Sequence, residues 1–546
     1  MSRQLEVLRK ARLYARTLPH LRPWQVAGRI VARVRQHAGW SHLPAPPAKL
    51  RPFRPAQVPY PQHDPWNTRE ALLEGQFTFL NRTKELGYLP DWTATHLPLL
   101  WRFNLHYFHY LHLLAQSEQE ELCRAWVQHN PAGQGVGWHP YPTSLRILNW
   151  CRSGLRAADL LDSLYKQAAY LYRNLETYIY GNHLLENARA LVLAGSHFAG
   201  QGEASLWLEK GLALYRQETK EQIFPDGGHF ERSPMYHALM LEGYLDVLNV
   251  LPSEHPDRSW IEATARDMTD VLVSLVHPNG HYALFNDATQ EIALPSAMLA
   301  SYSSNILGYV PNSQSKLPDM GYFIHHDDDV YLIIDSGAVG PDYLMAHAHA
   351  DIFSFELSLA GLLFVVDSGV YEYAAGPMRS YVRSTAAHNT VSVDGQDQVE
   401  CWDSFRVARR AAPHDVSFVQ TEDESRFGGN FSGYARLLGD DIVHRRTIHI
   451  NTRKRTIFVQ DDIAGCGWHR IESRLHFHPE VEVEEEGGSI QLRRCAATCT
   501  LDVGTLNLRW EQGWYCPRFG VRSRNRVAVI GGEMHLPARL MYTLCY

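Results

Sequence analysis

The feature that most constrains this chain is a change of hydrophobic period near residue 315. Between about 70 and 310, apolar residues recur every three or four positions in "LLWRFNLHYFHYLHLLAQ", "SLRILNWCRSGLRAADLLDSLYKQAAYLYRNLETY", "NHLLENARALVLAGSHF" and "ASLWLEKGLALYRQETKEQI", the spacing of amphipathic helices. In "SPMYHALMLEGYLDVLNVL", Ser233 reads as an N-cap and Pro234 as a first-turn residue. "SWIEATARDMTDVLVSLV" and a weaker pattern near 295–305 complete the set. Helical hairpins that follow one another without strands imply an all-helical array or toroid. After about 315 the runs shorten and alternate, as in "YFIHHDDDVYLIIDSG", "IFSFELSLAGLLFVVDSG" and "RRTIHINTRKRTIFVQDDIAG". Their Val, Ile, Thr and Phe content between turn residues marks strands, and antiparallel strands over such a length form a β-sandwich.

At 546 residues the chain exceeds what one core supports. The expectation is an α+β multidomain chain in three parts: a basic N-terminal arm and Pro-rich connector over 1–66, an (α/α) toroid over 67–315, and a large antiparallel β-sandwich domain over 316–546. The connector, "SHLPAPPAKLRPFRPAQVPYPQHDPW", is too proline-rich for a regular element.

The net charge of −7 argues against a nucleic-acid partner. The 14 Trp, 27 Tyr and 29 His are numerous; a large core takes up aromatic rings, and aromatic surfaces also stack on sugar rings. The eight cysteines are scattered without a C-x-x-C pair, which fits reduced thiols in a cytoplasmic compartment rather than a disulfide framework or zinc ribbon. The first 36 residues hold nine Lys/Arg and one acid. They lack the apolar stretch and cleavage site of a secretory signal, and no apolar run in the chain is long enough to span a membrane. Leu5, Leu8, Leu13, Val26, Ile30 and Val34 fall at helical spacing. The arm therefore reads equally as a basic amphipathic segment on a membrane face or export assembly, or as a helical arm packed on its own domain.

Four segments concentrate titratable residues. In "YGNHLLENARAL", Asn182, His183 and Glu186 fall near one helix face. In "FPDGGHFERSPMYHALMLE", Tyr236 sits in the first turn of a helix, where the positive helix end favours a phenolate. In "MAHAHADIFSFEL", an extended chain would put His347, His349 and Asp351 on one strand face. In "YVRSTAAHNTVSVDGQDQVECWDSFR" stand Arg383 and His388, with Asp367 before them in "FVVDSG". His349, Asp367 and His388 are N/O ligands suited to zinc. Each segment taken singly also reads as hydrogen-bonded packing.

Together "HAHADIFSFELSLAGLLFVVDSGVYEY" and "MRSYVRSTAAHNTVSVDGQDQ" resemble the signature of the heparinase II/III-like polysaccharide lyases. The resemblance extends to "GNHLLENARAL" and "DGGHFERSPMYH", and the N-terminal "LRPWQVAGRIVARV" and "WRFNLHYFHYL" are similar to members linked to bacterial exopolysaccharide gene clusters. It departs at Ala348, where the family often has Gly. The resemblance implies an acidic, uronate-containing polysaccharide substrate cleaved by β-elimination. That reaction needs the carboxylate neutralised, a base for C5–H, and an acid for the departing O4. By resemblance, Asn182 and His183 would neutralise the carboxylate, Tyr236 would act as Brønsted acid or base, and His347 would be the partner base. His349, Asp367 and His388 would hold a structural Zn²⁺, and Glu186 and Arg383 would contact substrate. Two other readings stand beside it. One is a glycoside hydrolase using Asp226 and Glu231 as its acid/base pair. The other is a non-catalytic polysaccharide-binding component of an export assembly, docked by the arm.

Overall fold

The change of period falls between a last helix, Ser296–Leu307, and a first strand, Lys316–Leu317. The structure, a computed structural model, describes residues 3–37, 43–53, 56–439, 441–486 and 489–546. The first half is built from Leu99–Tyr107, Gln116–His129, Pro140–Ser153, Ala158–Arg173, Gly181–His197, Ala204–Gln222, Pro234–Val250 and Arg258–Ser274. The long periodic run from 144 to 178 is two helices, because Gly154 adopts φ +83 and closes the first. Another expected run ends at Phe108, left-handed at φ +62, and continues as the 3₁₀ turn His109–Leu113. That break lets the Phe108 ring stack on Trp92 and meet Trp126 and Trp150 edge-on. A two-stranded hairpin, Gln76–Phe79 with Arg82–Glu85, lies inside the half whose period predicts helices.

Gly181–His197 is buried on every side except at His183, so it is the helix round which the others pack. Burial there extends to polar groups. His106 and His237 are enclosed in the helical core, and burial lowers each of them to about 3. Both are neutral when folded, whereas in the unfolded chain they take up protons below the ordinary value near 6.5. Stability is therefore complete above that pH and falls as the pH drops towards 3. At pH 5 each histidine should cost about 2 kcal/mol. Urea denaturation at pH 7.5 and pH 5 checks this: the midpoint should fall at the lower pH, and His237→Gln should shrink the difference.

Among the described residues the second half contains three large antiparallel sheets and a two-stranded ribbon, Cys401–Trp402 with Arg406–Val407. Five strands from Lys316–Leu317 to Leu362–Val365 form a meander in chain order. An eight-stranded sheet runs from Pro413–Gln420 to Glu482–Glu486, and Trp468–His476 is paired with Val391–Val393 and Val521–His535 in a four-stranded sheet. One apolar core joins them, with Leu332 and Phe355 from the first, Ile448 and Val459 from the second and Ile471 and Ile530 from the third.

The arm forms the helices Arg3–Thr17 and Pro23–His37, and the connector has neither helix nor strand among its described residues. Arg16 pairs with Glu400, and Trp402 Nε1 donates to Thr17 Oγ1, both on the β half. On the helical half, Arg22 pairs with Glu221 and Trp24 Nε1 donates to Thr177 Oγ1. Leu13 is buried, while Leu8, Val26, Ile30 and Val34 face outward; the side chain of Leu5 lies outside the described residues. The arm thus packs on its own chain. Among the described residues no helix is long and apolar enough to cross a membrane.

Candidate active site

A cleft of about 1650 Å³ runs between the two halves. Its walls include Tyr141, Asn182, His183, Glu231 and Tyr236 from the helical side, and His347 and Tyr373 from the β side. Asn182 enters through a strained turn, with Tyr180 at φ +66, ψ −162 and Gly181 at φ +62. A Cβ on Gly181 would lie 2.4 Å from Glu231 Oε1, so only glycine allows this approach. As a result the Asn182 backbone N–H and side-chain amide both donate to the Glu231 carboxylate, at 2.9 to 3.1 Å.

His183 is half-buried and lies against the Tyr141 ring, centroids 4.4 Å apart. Its Nδ1 is 3.2 Å from Glu176 Oε1. Burial opposes a charge on this imidazole, but Glu176, with Glu231 and Glu186 beyond it, outweighs burial and raises its pKa. The cleft thus presents an amide and an imidazole that favours its cationic form, side by side.

Tyr236 stands on the first turn of Pro234–Val250, whose N-cap Ser233 accepts from Tyr236 N. Its hydroxyl shares a 3.1 Å hydrogen bond with Tyr373, and its ring lies 4.0 Å from that of His347. Burial, reinforced by Tyr373, pushes the phenol well above 10. The helix end does not make it a phenolate: Tyr236 is a protonated phenol, because desolvating the anion outweighs the dipole.

The residue that organises the site is one the sequence did not single out. Asp287 is fully buried and accepts from His347 Nδ1 at 3.0 Å on one oxygen and from His349 Nε2 at 2.9 Å on the other. Arg379, also buried, clasps both oxygens. Burial would raise this carboxyl, but Arg379 and the two imidazole bonds hold it well below its ordinary range. As an ionised acceptor it requires His347 Nδ1 to carry a proton, which leaves Nε2 as the ring nitrogen that can exchange one. That Nε2 faces Glu231 at 3.5 Å.

The extended strand expected from His347 onward is overturned. The strand begins only at Phe355, and before it Ser354 N bonds back to Asp351 O while Phe353 is left-handed at φ +65. The irregular backbone carries the two histidines to opposite oxygens of Asp287 instead of along one sheet face.

The metal-ligand candidates also regroup. One ligand atom each from His349, Asp351 and His388 lie within 4.8 Å of one another, all buried, and could hold a metal ion. The fit is supported by two buried ring nitrogens with no hydrogen-bond partner, His349 Nδ1 and His388 Nε2. Asp367 stands behind this group and accepts from His388 Nδ1 at 2.7 Å, the position of a carboxylate that orients a ligand. Of the expected substrate contacts, Glu186 lines the cleft but is tied to Arg189 at 3.1 Å. Arg383 does not face the cleft. It is buried, and its guanidinium donates to the backbone carbonyls of Ala348, Asp403, Ser404 and Arg406, bracing the loop that carries His347.

A helical toroid and an antiparallel sandwich that meet at this cleft define a toroid-and-sandwich protein with titratable side chains gathered at the junction. The Heparinase II/III N-terminus model matches residues 155–316, and the Heparinase II/III-like, C-terminal model matches residues 310–538. The chain belongs to the heparinase II/III-like family. It is similar to a heparin-sulfate lyase of Pedobacter heparinus, 27% identical over 269 residues that cover 44% of this chain and 40% of that protein. A heparin-sulfate lyase of Bacteroides thetaiotaomicron is 23% identical over 405 residues, 63% of this chain and 55% of that protein. The matches thus span from two fifths to just over half of these relatives' length. Among solved structures, a heparinase III gene product superposes with a TM-score of 0.63 at 18% identity, covering 87% of this chain and 82% of that one, a likeness of fold.

Proposed function

We propose that this protein is a polysaccharide lyase that cleaves a uronate-containing chain by β-elimination. The observation that carries the reading is the Tyr236–His347 pair, a protonated phenol whose ring lies tilted at 4.0 Å from an imidazole held by Asp287, with Asn182 and His183 lining the same cleft. His183 and the Asn182 amide would face the uronate carboxylate; withdrawing its charge lowers the barrier to losing the C5 proton. His347 Nε2 takes that proton and the C4–O4 bond breaks. A C4–C5 double bond forms, and the Tyr236 hydroxyl protonates O4 as it leaves. Glu231, whose carboxylate lies 3.5 Å from His347 Nε2, stands where the imidazolium that results can donate to it.

The hydrolase reading fares worse on its own residues. Asp226 accepts from the backbone N–H groups of Gly228, Asp319 and Met320 and is absent from the cleft lining, so it does not face the cleft with Glu231 as an acid/base pair. The heparin-sulfate lyase names of the relatives favour an acidic polysaccharide as substrate. A role in exopolysaccharide or capsule turnover and a cytoplasmic location complete the reading. Cleavage in heavy-oxygen water tests the reaction class, since a lyase leaves the solvent oxygen out of the product and a hydrolase builds it in.

His349, Asp351 and His388 would hold Zn²⁺, with Asp367 orienting His388. Such an ion would supply a structural clamp on the loop that carries His347. Elemental analysis checks the ligand set: zinc should copurify with the wild type, Asp351→Ala should lose it, and Asp367→Asn should keep it with about 10- to 100-fold weaker affinity. If Asp351→Ala retained zinc and Asp367→Asn lost it, the ligand set would be the other one.

A further inference from the structure

We propose that the N-terminal arm is part of the substrate cleft and supplies, at Arg29, a subsite for a carboxylate of a sparsely charged, unsulfated uronate chain. The inference rests on the lyase reading above and extends it from the reacting sugar to its neighbours.

The helix Pro23–His37 turns one face to the cleft: Gln25, Arg29 and Ala32 line it, together with Leu21 and Thr17 before the helix. These positions recur at helical spacing. The helix is seated closely, since a Cβ on Gly28 would come 2.5 Å from Tyr178 Cβ, and the buried Gln25 side chain donates to Tyr343 O at 3.1 Å. With Arg16 tied to Glu400 and Trp24 to Thr177, the arm bridges both walls and closes one side of the cleft.

Charge then singles out one residue. The lining holds five arginines and eight carboxylates. Arg152, Arg189, Arg406 and Arg410 each have a carboxylate within 4.0 Å. Among the described residues no carboxylate pairs with Arg29, which is exposed and close enough to Tyr178 to act on it electrostatically, in a lining that also holds Tyr180. A guanidinium without a carboxylate partner near phenol rings can bind a carboxylate while a sugar ring rests on the aromatic faces. The surplus of acids elsewhere in the lining disfavours a chain with several sulfates per repeat.

Calorimetric titration of the full-length protein with an unsulfated uronate oligosaccharide, and with a sulfated one of the same length, tests this without depending on turnover. The wild type should bind the unsulfated chain more tightly. Arg29→Ala should weaken that binding about tenfold, the loss of one hydrogen bond to a charged group, and Arg29→Lys should restore part of it. Both variants should melt as the wild type does, because Arg29 is exposed and among the described residues no carboxylate pairs with it. Equal affinity of Arg29→Ala and the wild type would overturn the subsite, and tighter binding of the sulfated chain would overturn the substrate class. A wild type that bound neither chain would remove the lyase reading, and this inference with it.

Discussion

Replacing His347 by Ala should lower turnover about 10²- to 10⁴-fold, the range for losing a positioned acid or base, while the protein melts close to the wild type. The ring is partly open to the cleft and has one strong bond, to Asp287, so its loss leaves no enclosed cavity. Tyr236→Phe should act similarly, since it removes only the hydroxyl shared with Tyr373. The double variant should be little worse than either single one, because two groups serving one proton transfer sequence do not add. Steady-state kinetics beside thermal melts separate the outcomes. Undiminished turnover of His347→Ala would remove it from the chemistry.

The second large effect belongs to Asp287. Its two oxygens hold His347, His349 and Arg379, and all but His347 are nearly or fully buried. Asp287→Ala strands the Arg379 guanidinium without a counter-charge in the interior, a loss of about 3–5 kcal/mol. It also frees His347 from its tautomer and orientation, so turnover should fall at least as far as in His347→Ala. Urea denaturation measures the first effect and kinetics the second. A stability change within about 1 kcal/mol would mean that the interior relaxes round Arg379 and that Asp287 is not the keystone of the site.

This asymmetry between His347 and Asp287 explains what could be read from the sequence. Periodicity locates helices and strands because burial of one face imposes 3.6- or 2-residue spacing, and Ser233 with Pro234 marked a true helix start. Asn182, His183, Tyr236 and His347 stood in motif-like clusters, and the fold brings all four to one cleft. Asp287 stood alone in "LFNDATQ", 60 residues from His347 and 92 from Arg379, so no local spacing announced it. Arg379 stands four residues before Arg383 in "MRSYVRS", and nothing local distinguishes the two. Asp367 is the carboxylate ligand expected from the sequence, whereas in the fold, with its turn at Phe353, it is Asp351 that groups with the two imidazoles. The polar pairing that builds the site is long-range, and long-range pairing leaves no period.

The product of the reaction separates β-elimination from hydrolysis. A C4–C5 double bond conjugated with the uronate carboxylate absorbs in the ultraviolet, whereas a hydrolysed end does not. Incubating the protein with a panel of unsulfated and sulfated uronate polymers should raise this absorbance in step with the loss of chain length for at least one polymer, and His347→Ala should abolish the rise. Shortening of a polymer with no gain in ultraviolet absorbance would contradict the account.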